Sequence, residues 1–251
     1  MSTANGFKDH FSTRSADYAA YRPTYPAALI AALADVAPAR NAALDVGCGN
    51  GQLSVLLAER FARVIATDAS AEQIANAVPH PQVGYRTAPA EASGLDPASV
   101  DLLTAAQAAH WFDLPAFYQE ARRVLKPGGV LALVTYGIMT VDRAADPVIG
   151  RFYRDVIGPY WPPERRHVEA GYRSLDFPFA EVGLPPLAIE VAWRRGDLLG
   201  YVDTWSAVRG AERALGRAPV EVFQAELARV WPDPDERRSV RFPLSVRAGR
   251  V

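Results

Sequence analysis

Apolar residues fall in short blocks along the first half of the chain, and their spacing switches repeatedly between that of strands and that of helices. Pro26 to Ala37 sets Leu29, Ile30, Leu33 and Val36 on one side of a helix. Ala42 to Val46 is short, mostly apolar and closed by glycine, as a buried parallel strand is, and Gln52 to Phe61 returns to helical spacing. Val64 to Thr67, ending at Asp68, reads as a second buried strand. Ser70 with Gln73 three positions on has the form of a capping box, so a helix is predicted to start directly behind it. Gln82 to Thr87 and Val100 to Ala106 read as the third and fourth strands, the latter preceded by the Asp96-Pro97 turn. Leu114 to Leu125 is an amphipathic helix stopped by Lys126-Pro127-Gly128-Gly129, and Val130 to Thr135 is a fifth strand. Beyond Thr135 the alternation lapses. Leu187 to Trp193 predicts a sixth strand, Leu198 to Ala207 and Pro219 to Val230 two helices, and Arg241 to Val246 a last strand whose Pro243 suits a sheet edge.

Length and charge then narrow the classes. A chain of 251 residues is long enough to bury its own core. Its formal charge of −1 supplies no overall basic field to attract nucleic acid. The single cysteine, Cys48, excludes an internal disulfide framework and a multi-cysteine metal site, and no metal is expected. No stretch approaches the ~20 apolar residues of a membrane span, and the N-terminus has no charged region followed by an apolar one. The expectation is a soluble cytoplasmic protein, monomer or homodimer, with neither a membrane nor a nucleic-acid partner.

The chemistry concentrates at Leu44 to Leu53, Leu-Asp-Val-Gly-Cys-Gly-Asn-Gly-Gln-Leu. Gly47, Gly49 and Gly51 permit positive φ and remove the side chains that would hold a ligand off the backbone. Asp45 stands inside the strand, where a purely structural position favours an apolar residue. Asp68 closes the next strand, one β-α-β step later, where a carboxylate accepts the hydroxyls of a ribose. The spacing is Gly-x-Gly-x-Gly, not the Gly-x-Gly-x-x-Gly of the dinucleotide fingerprint. A glycine turn whose acids merely cap helices is the bland alternative.

LDVGCGNGQ followed by VIATD resembles motif I and the ribose acid of the class I S-adenosylmethionine (SAM)-dependent methyltransferases. The resemblance implies an α/β, Rossmann-like fold: a seven-stranded, mostly parallel sheet with helices on both faces, an antiparallel last strand and a helical lid insertion. It divides a single domain, 1–251, into an N-terminal cap segment (1–40), a SAM-binding core (41–135), a lid or substrate insertion (136–186) and C-terminal strands and helices (187–251). It implies SAM as cofactor, converted to S-adenosylhomocysteine (SAH), with Asp45, Gly47, Cys48, Gly49, Asn50, Gly51, Gln52, Asp68 and Ala69 around it. The loop Ala88-Pro89-Ala90-Glu91-Ala92 corresponds to the family's adenine loop, with Pro89 where an aspartate is frequent, so Ala90 and Glu91 would serve there chiefly through the backbone.

Ser15 to Pro26, SADYAAYRPTYP, resembles the opening segment of a small-molecule branch that includes trans-aconitate methyltransferase. That segment folds over the cofactor, and Arg22 would meet the methionine carboxylate with a fork that Lys cannot reproduce. Packing of the segment onto the domain is the alternative for its aromatics. At the end of the fourth strand, Gln107, His110 and Trp111 stand where open α/β sheets gather ligands. A tryptophan face attracts a sulfonium by roughly 0.5 to 2 kcal/mol, although Trp111 would serve equally as a core aromatic. His110, Tyr18 and Tyr21 are the candidate bases, needed for a hydroxyl or amine acceptor and unnecessary for a carboxylate.

The long insertion carries Trp161, Arg165-Arg166-His167 and Tyr172, and a connection of this length in such a fold is usually a binding region. With Trp205 from the helix beyond, Trp161, Arg165 and Tyr172 are the candidate acceptor contacts. The function implied is methyl transfer from SAM to a small-molecule acceptor, a carboxylate among the candidates, by in-line displacement; no sequence feature decides among carboxylate, phenolate, hydroxyl and amine. A catalytically silent SAM-binding module and an NAD-dependent oxidoreductase are the rivals.

Overall fold

The computed structural model describes residues 22–251. Helix α1 (Ala27–Val36) leads into β1 (Ala42–Val46), and a glycine turn into α2 (Gln52–Leu57). Then follow β2 (Arg63–Asp68), α3 (Ala71–Ala75), β3 (Val83–Thr87), β4 (Val100–Ala106), α4 (Leu114–Val124) and β5 (Leu125–Tyr136). The remainder comprises α5 (Ala145–Arg151), α6 (Arg165–Glu169), β6 (Ala180–Val182), β7 (Leu187–Trp193), α7 (Arg195–Asp203), α8 (Ser206–Leu215), α9 (Ala218–Val230) and β8 (Arg238–Arg250).

The sheet runs β3-β2-β1-β4-β5-β8-β6, with β7 also on β8. The pairs from β3 to β5 are parallel, and β8 runs antiparallel to β5, β6 and β7. The described residues form eight strands, the seven expected and a three-residue β6 inside the insertion. Register gives each face its own core. Val64, Ala43, Leu102 and Val130 lie abreast and share one hydrophobic cluster, while Ile65, Leu44, Leu103 and Leu131, one residue on, share the other. The two-residue period of a strand dictates that division. Helices α1 and α2, α5 and α7 to α9 cover the first face, and α4, Val168 and Tyr172 to Phe179 cover the second.

Several elements differ from expectation. The helix after the glycine turn stops at Leu57, and Glu59 and Arg60 close three-residue turns onto Leu56 and Leu57. Lys126 to Gly129 belong to β5, with left-handed Gly128 and a register shift between Val100 and Leu102. The C-terminal region holds three helices, not two. Its last strand has 13 residues and lies between partners, not at an edge. Pro243 fits because Arg241 exchanges both backbone bonds with Thr140, so the proline nitrogen turns to the same side, beyond the end of the β5 ladder at Tyr136↔Leu244. Within residues 136–186, Phe152, Tyr153, Ile157 and Tyr172 are buried in the two cores.

Candidate active site

The turn after β1 is held from three directions. Cys48 N–H donates to the Thr67 carbonyl at 3.0 Å, Gly51 N–H to the Cys48 carbonyl at 3.0 Å, and Gly49 N–H to Asp68 Oδ2 at 2.8 Å. Gly47 and Gly51 have φ of 63° and 86°. A Cβ on Gly47 would come within 2.6 Å of the Ala108 methyl, and one on Gly51 would collide with the Tyr85 ring. Glycine is therefore required at both by conformation and by space. At Gly49 an added Cβ would meet, among the described residues, only Gln73 Oε1, at 3.9 Å, which leaves room beside the turn for a ligand.

Asp45 lies beneath this turn and not in it. It is fully buried, and Ser54 and Thr104 hydroxyls donate to its two oxygens at 2.6 and 2.8 Å. Burial pushes its carboxyl up to about 6, against the pull of the two hydroxyls. Its side chain thus supports the turn from below, and the direct cofactor contact expected of it is not what the geometry offers. The Cys48 thiol points back to the Gly49 carbonyl at 3.4 Å, and burial pushes its pKa up, so it is an inert turn residue. Asn50 presents its carbonyl to Val78 N–H at 3.0 Å, and Gln52 opens α2.

Asp68 is half-buried, with Oδ1 accepting Ser70 N–H at 2.8 Å, and each carboxylate oxygen keeps further lone-pair capacity. Ala69 beside it is exposed. Glu91 accepts the Asp113 N–H at 2.9 Å, which ties the loop after β3, with buried Ala90, to the start of α4. An open glycine turn beside a half-buried carboxylate fits the ribose and amino-acid portions of a SAM-like nucleoside.

At the end of β4, Gln107 takes a left-handed φ of 55°. Its amide donates to the Tyr136 carbonyl at 2.9 Å and accepts from the Thr135 hydroxyl at 2.7 Å. The next turn puts His110 and Trp111 at the mouth of a cavity of about 580 Å³, counting its solvent-open part. Its lining is Arg22, Gln107, His110, Trp111, Trp161 and Arg165, with Pro162, Tyr201, Trp205 and Ser206. Arg22 reaches the Tyr136 hydroxyl at 3.5 Å and lies 5.7 Å over the Tyr201 ring. Arg165 donates from Nε to the Tyr153 hydroxyl at 2.8 Å and stacks 4.6 Å over Trp161. His110 is held down to about 3 by burial, then by the Arg165 and His167 charges.

The structure thus brings Arg22, Gln107, His110, Trp111, Trp161, Arg165 and Trp205 together around one cavity. Tyr172 is not part of its lining: it is fully buried and reaches His110 Nδ1 with its hydroxyl at 2.8 Å. Of the Arg165-Arg166-His167 run only Arg165 lines the cavity; His167 bonds Ser174 at 2.8 Å. Tyr18 and Tyr21 lie outside the described residues. Sequence reasoning missed Thr135 and Tyr153, which fix Gln107 and Arg165. Thr135 had a legible signal, a hydroxyl in an otherwise apolar strand.

A methyltransferase-domain profile matches residues 44–133. A Dictyostelium discoideum protein named as a methyltransferase is 36% identical over 249 residues, covering 96% of this chain and 95% of its own. The chain belongs to the class I SAM-dependent methyltransferases. A solved structure from Anaeromyxobacter dehalogenans, named as a type II methyltransferase, is 51% identical with a TM-score of 0.88 and covers 92% of this chain and 98% of its own. A Saccharomyces cerevisiae protein named as a SAM-dependent methyltransferase is 29% identical over 131 residues, 49% of this chain and 45% of its own. The methyl donor of this methyltransferase is SAM, and the nicotinamide alternative is set aside by the family. No helix among the described residues is long and apolar enough to cross a membrane.

Proposed function

We propose that this methyltransferase transfers the SAM methyl group to the oxygen of a small organic acid. One observation carries the reading. The cavity beside the cofactor turn is lined by two guanidinium groups and aromatic walls, and no Asp or Glu stands among its described lining residues. Arg165 has no carboxylate partner among the described residues, so its cost of desolvation is offset when an anion binds. Arg22 would take the methionine carboxylate of SAM and Arg165 the acceptor. Asp68 would accept the ribose hydroxyls, Gly47 to Gly51 would approach the cofactor through backbone, and Trp111 would face the sulfonium.

SAM supplies an electrophilic methyl on a sulfonium. The chain has to place an acceptor oxygen in line with it and exclude water, and such orientation lowers a barrier by up to roughly 7 to 11 kcal/mol. The oxygen lone pair forms the new C–O bond, the C–S pair returns to sulfur, and no proton moves when the acceptor is a carboxylate. Trp161, Tyr201 and Trp205 close the cavity from the C-terminal half, which favours catalysis over silent SAM binding.

The test is Arg165→Gln assayed against a panel of small carboxylic acids and amines. Acids are methylated, and the variant raises the acid KM about tenfold or more while SAH affinity stays within twofold. An unchanged acid KM, or preferential methylation of amines, contradicts the reading.

A further inference from the structure

His110 has a residue behind it whose backbone is held in an uncommon state. Gly171 and Tyr172 are both left-handed, with φ of 58° and 60°. For a bulky residue such as tyrosine this state is strained, and it persists only where the surroundings over-determine it. They do so here. Tyr172 N–H donates to the His167 carbonyl at 2.7 Å, and Arg247 of β8 donates from one Nη1 to the Tyr172 and Leu175 carbonyls at 3.1 and 2.8 Å. A Cβ on Gly171 would stand 2.5 Å from Ser245 Oγ, so the pair is pinned to β8.

The side chain aimed by this clamp ends on His110 Nδ1 at 2.8 Å. The Thr135 hydroxyl and the backbone of Ala109 and His110 lie near enough to act on the same phenol. Thr135 commits its own hydrogen to Gln107 Oε1 at 2.7 Å, and the Gln107 amide is oriented by its bond to the Tyr136 carbonyl at 2.9 Å. Two acceptors face the Tyr172 hydrogen, the Thr135 oxygen and the His110 ring nitrogen, and the more basic imidazole nitrogen, at 2.8 Å, takes it. Nδ1 then accepts, and the ring proton sits on Nε2.

We propose that Tyr172 is a positioning residue that fixes His110 as the Nε2–H tautomer, so that the imidazole meets the methyl acceptor as a neutral hydrogen-bond donor and not as a base. This rests on the reading of the acceptor as an anion. The charged and titratable groups facing His110 are Arg165 and His167 of α6, Arg22 across the cavity and Tyr172 behind it. Burial first, then Arg165 and His167, oppose a second ring proton, and the imidazole stays neutral through the physiological range. A neutral donor suits this reaction. Arg165 already supplies the charge that binds the acceptor, and the acceptor loses negative charge as the C–O bond forms, so a second cation at His110 would hold the ground state more tightly still; a neutral donor orients the oxygen without adding to that penalty.

The experiment is long-range proton–nitrogen correlation NMR on the histidine-labelled full chain bound to SAH, with His110→Asn identifying the signal. The His110 ring is expected as the neutral Nε2–H tautomer from about pH 5 to 9. Tyr172→Phe should give a tautomer mixture and lower kcat for the acid acceptor about tenfold or more, with SAH affinity within twofold. A wild-type Nδ1–H tautomer, or an imidazolium titrating near neutrality, overturns the proposal, and this readout stands even where Tyr172→Phe fails to fold. Unchanged tautomer and kcat in a folded Tyr172→Phe overturn it too. The Nε2–H tautomer together with a failure to methylate any acid upholds the positioning role and overturns the acidic acceptor.

Discussion

Asp68 holds Gly49 and Ser70 N–H groups, each at 2.8 Å, so one carboxylate shapes the glycine turn and, on the proposed reading, would offer its remaining lone pairs to a ribose. Hydrogen bonds to a charged group contribute about 1.5 to 3 kcal/mol each. Asp68→Ala is therefore expected to weaken SAH binding well over tenfold in calorimetric titration, and unchanged affinity would remove the ribose assignment. Asp45 acts differently, through pH. Its carboxyl is raised to about 6 in the folded chain by burial, above the unfolded value near 3.9. The stability it contributes is present below about pH 4 and is lost as pH rises through about 6, by about 2 to 3 kcal/mol at most. Urea midpoints of the wild type should fall relative to Asp45→Asn between pH 4 and pH 8; parallel profiles would mean that the buried carboxyl ionises normally. Asp68 was legible because its distance from the first acid is one β-α-β step. Whether Asp45 touches ligand or supports the turn was not, since Ser54 and Thr104 declare themselves as its partners only once α2 and β4 are placed.

At the scale of elements, the turn after β1 and the loop after β4 touch at Gly47 and Ala108. Gly47→Ala combines a left-handed φ of 63° with a 2.6 Å approach to the Ala108 methyl. It should destabilise the protein by roughly 1 to 3 kcal/mol and weaken SAH binding, read by thermal shift and titration of the same sample. Wild-type behaviour in both would mean that the two loops separate freely. The strands of the first half and their faces were readable because the two-residue period in Ala43-Leu44, Leu102-Leu103 and Val130-Leu131 answers to burial on two sides. The second half was less so. Pro243 marks an edge by local rule, yet β8 is interior, because what decides is where the neighbouring ladder ends, a property of β5 and not of β8.

Across the whole molecule, a run of aromatic contacts joins the N-terminal segment to the insertion: Tyr25 to Tyr136, Phe242, Tyr201, Trp205 and Trp161, with centroids 5.3 to 6.3 Å apart. Three of these rings, Tyr201, Trp205 and Trp161, wall the proposed acceptor cavity. Arg165 projects from that wall, and its separation from Arg166 and His167 could not be read from a run of three cations. The acidic acceptor we propose thus rests on tertiary structure. The most direct test is methyl transfer from radiolabelled SAM to small carboxylic acids, followed by mild base and collection of the volatile label. A methyl ester releases its label as methanol, and the account predicts acid-dependent, base-labile product. Base-stable label, as an N-methyl product would give, would contradict it.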